Sequence, residues 1–202
     1  MPSEPPTERF TSATVEPPKD FNLLVSSCRG EEHEANSELE YLLRELGDKT
    51  ARTGFTLVGG LTVAKTALEP TRVVDELRDS VREYPWKFRY VLKVKPVRDV
   101  VSCNIDDIVN AVVGQLSMIR SGETFRVTIE KRKNVISSKS VIDAVASRVP
   151  RKVELQNPSK VVMVEIIGDL AGVSILKPGC VLGIEKEKRA TSSQPSRAQS
   201  AL

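Results

Sequence analysis

The chain has 202 residues, room for one large domain or two small ones, and 40% of them are hydrophobic against 28% charged. Only 4% are aromatic, so a core must be assembled from Val, Leu and Ile. No apolar run approaches the roughly 20 residues of a membrane span, and the acidic, Pro-rich start Met1-Pro2-Ser3-Glu4-Pro5-Pro6 lacks the apolar stretch of a secretory leader. These features predict a cytoplasmic protein, or a nuclear or nucleolar one in a eukaryote.

The net charge of +3 is unevenly spread: residues 1–86 hold 10 Lys/Arg against 16 Asp/Glu, residues 87–160 hold 15 against 7, and residues 161–202 hold 5 against 4. A basic segment beside an acidic one predicts one half that binds a polyanion and another with a different task. Cys28, Cys103 and Cys180 lie far apart and His33 is the only histidine. They do not assemble the four N/S ligands of a zinc site, so no metal or other cofactor is expected.

Residues 1–19, rich in Pro, Ser, Thr and Glu, are expected to form a disordered tail. Residues 20–95 then read as strand, helix, strand, strand, helix, strand. The apolar run from Phe21 to Ser26 is a strand. From Glu32 to Leu46, Ala35, Leu39, Leu42, Leu43 and Leu46 recur at helical spacing, and Gly47 stops the helix. Gly59-Gly60, between the strands Phe55–Val58 and Leu61–Ala64, reads as a two-residue hairpin. Pro70 opens a second helix with Val74, Leu77, Val81 and Tyr84 on one side, and Pro85 ends it. Phe88, Tyr90, Leu92 and Val94 alternate with Arg89, Val91, Lys93 and Lys95 as a last strand. The βαββαβ order is the ferredoxin-like arrangement.

Residues 96–186 read as αβαββ. Asn104 caps a helix striped by Ile105, Ile108, Val109, Val112, Leu116 and Ile119. Phe125–Ile129 alternates as a strand, and Lys131-Arg132-Lys133-Asn134 follows as a basic loop. Ser137 or Ser138 caps the next helix, in which Val141, Ile142, Val145, Ala146 and Val149 face inward, and Pro150 stops it. The β-branched run Val161–Ile167 reads as a central strand buried on both faces, turning at Gly168-Asp169 into Leu170–Leu176. Glu165, the only charge in its strand, either pairs with Arg126 on a neighbouring strand or sits at an exposed edge. Residues 187–202, rich in Ser, Gln, Ala and Arg, are expected to be a second disordered tail.

Two places could bind anions. The loop Ser26-Ser27-Cys28-Arg29-Gly30 joins a strand to a helix and could offer amides to a phosphate. However, Arg29 directly follows Cys28, Glu31, Glu32 and Glu34 would repel the anion, and a Cys28–His33 pair has no third group to orient it. A solvated turn is the better reading. The stronger constellation is Arg126, Lys131, Arg132, Lys133, Lys139, Arg148, Arg151, Lys152 and Lys160, with Ser138 at a helix start that can seat a phosphate. Lys93, Lys95 and Arg98 at the junction could extend it. The alternative is a solvated charged loop and a basic helix C-terminus. No aromatic interrupts the basic loop, so backbone and shape recognition is favoured over base stacking. Walker A, G-x-G-x-x-G, G-x-S-x-G and H-E-x-x-H motifs are absent.

Several segments taken together resemble a THUMP domain. They are Phe125-Arg126-Val127-Thr128-Ile129-Glu130-Lys131-Arg132, the helix-opening Ser137-Ser138, Val153-Glu154-Leu155-Gln156-Asn157-Pro158-Ser159-Lys160-Val161-Val162, Glu165-Ile166 and Gly172-Val173-Ser174. The preceding unit resembles the ferredoxin-like domain that usually accompanies THUMP, so the resemblance spans about residues 20–186. It implies an α/β (α+β) protein that binds tRNA, with Arg126, Lys131, Arg132, Lys139, Asn157 and Lys160 as RNA contacts and Pro158 shaping a loop. THUMP proteins usually carry an appended modification enzyme, for which this chain leaves no room. It is therefore most similar to the stand-alone tRNA acetyltransferase adaptors, which present tRNA to a separate RNA cytidine acetyltransferase that forms N4-acetylcytidine. The expectation is a non-catalytic adaptor. The alternatives are an acylphosphatase-like hydrolase anchored by Arg29, or a protein-only scaffold.

Overall fold

The structure, a computed structural model, describes residues 19–192; of the tails expected at 1–19 and 187–202, residues 1–18 and 193–202 lie outside the described residues. The chain begins with β1 (Leu23–Ser26), α1 (Glu32–Glu45), β2 (Arg52–Phe55), β3 (Leu61–Lys65), α2 (Pro70–Glu83) and β4 (Lys93–Pro96). These strands pair antiparallel in the order β4-β1-β3-β2. Alternation along β1 sends Leu23 and Val25 to the helices and Leu24 to the opposite face. On the helix side, α1 buries Ala35, Leu39, Leu42 and Leu43, and α2 buries Val73, Val74, Leu77 and Val81. Each fully buried Leu there contributes about 1.5–3 kcal/mol of apolar burial. Gly47, at φ +99°, ends α1, and the Glu69 carboxylate accepts the Arg72 amide at the start of α2.

Two expectations for this unit are corrected. The expected last strand, Phe88–Val94, is irregular up to Leu92, and the ladder occupies Lys93–Pro96. The cause is Glu38 of α1, whose carboxylate accepts the amides of Arg89 at 2.8 Å, Tyr90 at 3.1 Å and Val91 at 3.0 Å, taking donors that a strand would give to its neighbour. The hairpin also closes later than Gly59-Gly60 implied. Its outermost pair is Phe55–Thr62, because the Thr56 hydroxyl bonds the Leu61 carbonyl at 2.7 Å and accepts the Val58 amide, rounding off a longer loop.

The second sheet is built from β5 (Asp99–Ser102), α3 (Ile105–Gly114), β6 (Thr124–Arg132), α4 (Ser138–Arg148), β7 (Lys152–Val153), β8 (Lys160–Ile167) and β9 (Leu170–Leu176). Its order is β5-β9-β8-β6-β7, with β6 parallel to β7 and β8 and the other pairs antiparallel. β8 is central, as its β-branched run implies. β5 and β7 extend the expected αβαββ pattern. Asn104 caps α3 through the Asp107 amide, and Ser137 caps α4 through the Ser140 amide.

The chain then returns to the first sheet. β10 (Leu182–Gly183) pairs antiparallel with β4, and α5 (Ile184–Ser192) follows. Arg82 of α2 holds Glu187 of α5 at 2.6 Å. The disordered tail expected from residue 187 is thus corrected over 187–192, which are helical. Burial of Leu182 and Ile184 in the first core holds the start of this segment in place.

The two sheets meet through their helix-free faces in a small core of Phe21, Leu24, Leu61, Val63, Val97 and Ile167. The result is four layers: helices, sheet, sheet, helices. At this seam Ser174 donates its hydroxyl to the Pro96 carbonyl at 3.0 Å and accepts the Arg98 amide at 2.9 Å. A Cβ at Gly172 would stand 3.0 Å from Val97, so a bare backbone lets the sheets close.

Candidate nucleic-acid interface

Alternation along β6 sends Phe125, Val127 and Ile129 to the helices. Arg126, Thr128, Glu130 and Arg132 therefore share the face that meets the first sheet. Lys95 crosses the seam there. Its Nζ lies 2.6 Å from Glu165 and 2.7 Å from Glu130, while Arg132 lies 3.1 Å from Glu165 and 2.6 Å from Glu130. Glu165 is 1% exposed and Lys95 4%, so a buried ion pair sits at the seam, and Arg132 and the exposed Glu130 extend it towards the surface. Burial acts to raise the Glu130 pKa, but Lys95 and Arg132 outweigh it and hold that carboxyl below its usual range.

This network corrects three expectations. Lys95 is buried and has no surface to offer RNA. Arg132 spends its guanidinium on Glu130 and Glu165. Glu165 pairs with these two residues and not with Arg126. Glu130 was not anticipated, although its place two residues before Arg132 on one strand face signals the pair.

Arg126 and Arg151 are also engaged internally. Arg126 donates to the Leu155 carbonyl at 3.1 Å and so props the loop between β7 and β8. Arg151 donates to the carbonyls of Ile119, Arg120 and Pro150, clamping the approach to β6.

The remaining cations form two groups where a single patch was expected. Lys131, Lys133 and Lys139 surround the turn from β6 into α4, and all three are exposed. Lys131 reaches the Ile136 carbonyl at 2.7 Å, and Lys133 adopts φ +52° at the tip. Lys139 pairs with Asp143, its side chain 85% exposed, so that bond exchanges readily for a phosphate. Ser138, half-buried, opens α4, whose first-turn amides face this group. The second group, Arg148, Lys152 and Lys160, with the neutral Asn157 beside them, lies at the other end of α4 and around the loop into β8. That loop is fixed by buried Pro158, by the Glu154 amide on the Phe125 carbonyl, and by the Ser159 amide on the Thr124 hydroxyl at 3.1 Å. The length of α4 separates the groups by about 15 Å. Lys93 stays exposed on the first sheet, opposite Ser26 and Gly183, and Arg98 is exposed beyond β4.

The loop at Cys28 is closed to anions. Glu32 accepts the Gly30 amide at 2.9 Å and the Gly60 amide at 2.5 Å, and these bonds, Gly60 first, hold its carboxyl below the usual range. A carboxylate of the protein itself thus fills the seat a phosphate would take. Glu31 raises the Cys28 thiol, against thiolate chemistry, and His33 packs on Phe55 with ring centroids 4.5 Å apart. Among the described residues no group of three or more His, Cys, Asp or Glu is placed to hold a metal, and no helix is long and apolar enough to cross a membrane.

A ferredoxin-like layer followed by a five-stranded mixed sheet bearing exposed lysines defines the class of fold. Residues 103–176 match the THUMP domain family, and the chain carries a THUMP domain there. Its fold is similar to that of PH1313 from Pyrococcus horikoshii Ot3, with a TM-score of 0.54 and 16% identity over 78% of this chain and 55% of that one. It is also similar to a predicted N6-adenine-specific DNA methylase from Listeria monocytogenes str. 4b F2365, with a TM-score of 0.50 and 15% identity over 79% of this chain and 40% of that one. A shorter match to the THUMP domain of THUMP domain-containing protein 1 covers 36% of this chain and 87% of that one, at 25% identity and a TM-score of 0.30. The chain thus spans about half the length of the first two structures, 55% and 40%. No curated protein sequence matches it.

Proposed function

We propose that this protein is a tRNA-binding adaptor without catalysis of its own, which presents tRNA to a separate RNA cytidine acetyltransferase forming N4-acetylcytidine. The observation that carries the reading is the THUMP domain at residues 103–176, which itself bears two groups of cations. Lys131, Lys133 and Lys139 grip one stretch of backbone; Arg148, Lys152 and Lys160, with Asn157, grip another. Each phosphate they neutralise releases counterions, so many weak contacts add to one salt-sensitive affinity. Neither group contains an aromatic side chain, which favours recognition of backbone and helical shape. The filled seat at Glu32 argues against the hydrolase alternative, because that chemistry needs open amides beside Arg29. Acetyl-CoA and ATP are used by the partner enzyme.

Filter binding to tRNA tests the grip. With about six phosphate contacts, affinity falls about 10³-fold between 50 and 200 mM salt. Replacing Lys131, Lys133 and Lys139 by Ala weakens binding to all tRNAs and flattens the salt slope. Lys95→Met, in contrast, leaves the slope of the folded protein unchanged. Unaltered binding by the triple variant would remove the first group from the interface. Mass spectrometry of tRNA nucleosides from a deletion strain tests the pathway, and undiminished N4-acetylcytidine rules out the acetyltransferase partnership.

A further inference from the structure

Three aromatic side chains are exposed among the described residues, Tyr41, Tyr84 and Trp86, and all belong to one cluster. They include the only tryptophan and two of the three tyrosines of the chain. The cluster is built, not accidental. Glu45 accepts the Tyr41 hydroxyl at 2.6 Å and the Lys87 ammonium at 2.8 Å. Lys87 lies over the Tyr84 ring at 4.7 Å, and Tyr84 meets Trp86 edge-on with centroids 5.7 Å apart. Pro85 opens the 3₁₀ turn that presents Trp86, which stays 68% exposed. Held rings lose little entropy on binding, and Trp and Tyr dominate the energetic centres of protein interfaces.

Position and charge choose the occupant. The cluster lies on α1 and the end of α2, the outer helical layer of the first sheet, with both sheets between it and the THUMP helices. At roughly 10 Å per layer, it and the lysines of the THUMP domain sit on separate faces. Its surroundings disfavour a nucleic acid: α1 carries five Glu and one Arg, and Glu83 adjoins Tyr84. Lys87 is neutralised by Glu45 and Arg82 by Glu187. Arg44 on α1 and Arg89 just past the 3₁₀ turn, both exposed, do not outweigh the five Glu of α1 together with Glu83.

We infer that Tyr41, Tyr84 and Trp86 form a docking surface for a protein partner that presents a basic face, with a partner Lys or Arg stacked on the indole. Resting on the adaptor reading, the inference places the modification enzyme on the first unit while tRNA occupies the second.

The single tryptophan makes the surface directly observable. The full chain, labelled with fluorotryptophan, gives one fluorine resonance from Trp86, read during titration with purified RNA cytidine acetyltransferase or with tRNA. The enzyme shifts or broadens the resonance and tRNA does not. Trp86→Ala weakens enzyme binding at least about 30-fold, with tRNA affinity and thermal midpoint unchanged. Enzyme that binds both chains equally, without moving the resonance, refutes the docking surface and leaves the adaptor reading standing. Enzyme that binds neither chain removes the adaptor reading, and the inference falls with it. A resonance moved by tRNA would make the cluster an RNA surface, and one moved by protein concentration alone a self-association face; either overturns the proposal.

Discussion

Replacing Lys95 with Met tests whether the charge network holds the two sheets together. Met keeps the length and apolar stem of Lys but removes the ammonium that lies 2.6 Å from Glu165 and 2.7 Å from Glu130. Glu165, 1% exposed, is left with Arg132 alone at 3.1 Å. Removing one partner of a buried pair costs about 3–5 kcal/mol. Because Arg132 survives, the lower end applies, about 3 kcal/mol, or a fall of roughly 6–12 °C in Tm for a chain of this size. Urea and thermal unfolding, followed by circular dichroism, measure it. Lys139→Met provides the control, since that ion pair is exposed and its loss costs about 0.5 kcal/mol or less. Adding Glu165→Leu to Lys95→Met leaves Glu130 and Arg132 paired at 2.6 Å and recovers most of the loss. The reasoning fails if Lys95→Met costs no more than Lys139→Met, or if the double variant is less stable than the single.

Three further outcomes follow from the geometry. Asp48 is 4% exposed; burial works to raise its pKa, but the hydroxyls of Thr66 and Thr50 and the amides of Ala67 and Thr50 outweigh it and hold the carboxyl far below its usual value of 3.8. Its stabilisation is therefore complete above about pH 4 and fades as pH falls further, so Asp48→Asn flattens the acid limb of stability against pH; a parallel limb in urea titrations at pH 3 and 6 contradicts this. Gly60→Ala places a Cβ 2.9 Å from the Ser27 carbonyl at φ +77° and costs about 1–3 kcal/mol, whereas Gly114→Ala, within α3 and facing open space, is neutral or stabilising by urea unfolding. Neither the parent nor Glu32→Gln hydrolyses an acyl phosphate; turnover lost in Arg29→Ala would restore the hydrolase reading.

Local signals carried most of the element order. The caps at Asn104 and Ser137, Pro70 at the head of α2 and the β-branched run of β8 act through neighbours a few residues away, and all are readable in one dimension. What was not legible depended on distant partners. β7 and β10 are two residues long and exist only because β6 and β4 lie beside them. The amides of Arg89, Tyr90 and Val91 are claimed by Glu38, about 50 residues earlier, which no alternation pattern records. The same limit divided the basic residues. Alternation shows that Lys95 and Arg132 each leave a helix-packed face, but not that the opposite face is covered by a second sheet. Glu165 held the clue: a lone carboxylate in an apolar strand must find buried cations, and it found Lys95 and Arg132.

The return of β10 to the edge of β4 makes the THUMP unit an insertion in the chain path of its neighbour. It departs through Pro96 and comes back at Leu182, and these two connections emerge from adjacent strands, where Leu182 faces Val94. A body tethered twice at one edge is restrained from swivelling about either connection, which limits how far the exposed lysines of the second unit can turn relative to Trp86. Nicking the backbone between Leu176 and Leu182 would release one tether and let Leu182 and Ile184 leave the first core. Proteolytic damage behind the second unit would thus be felt as melting of the first.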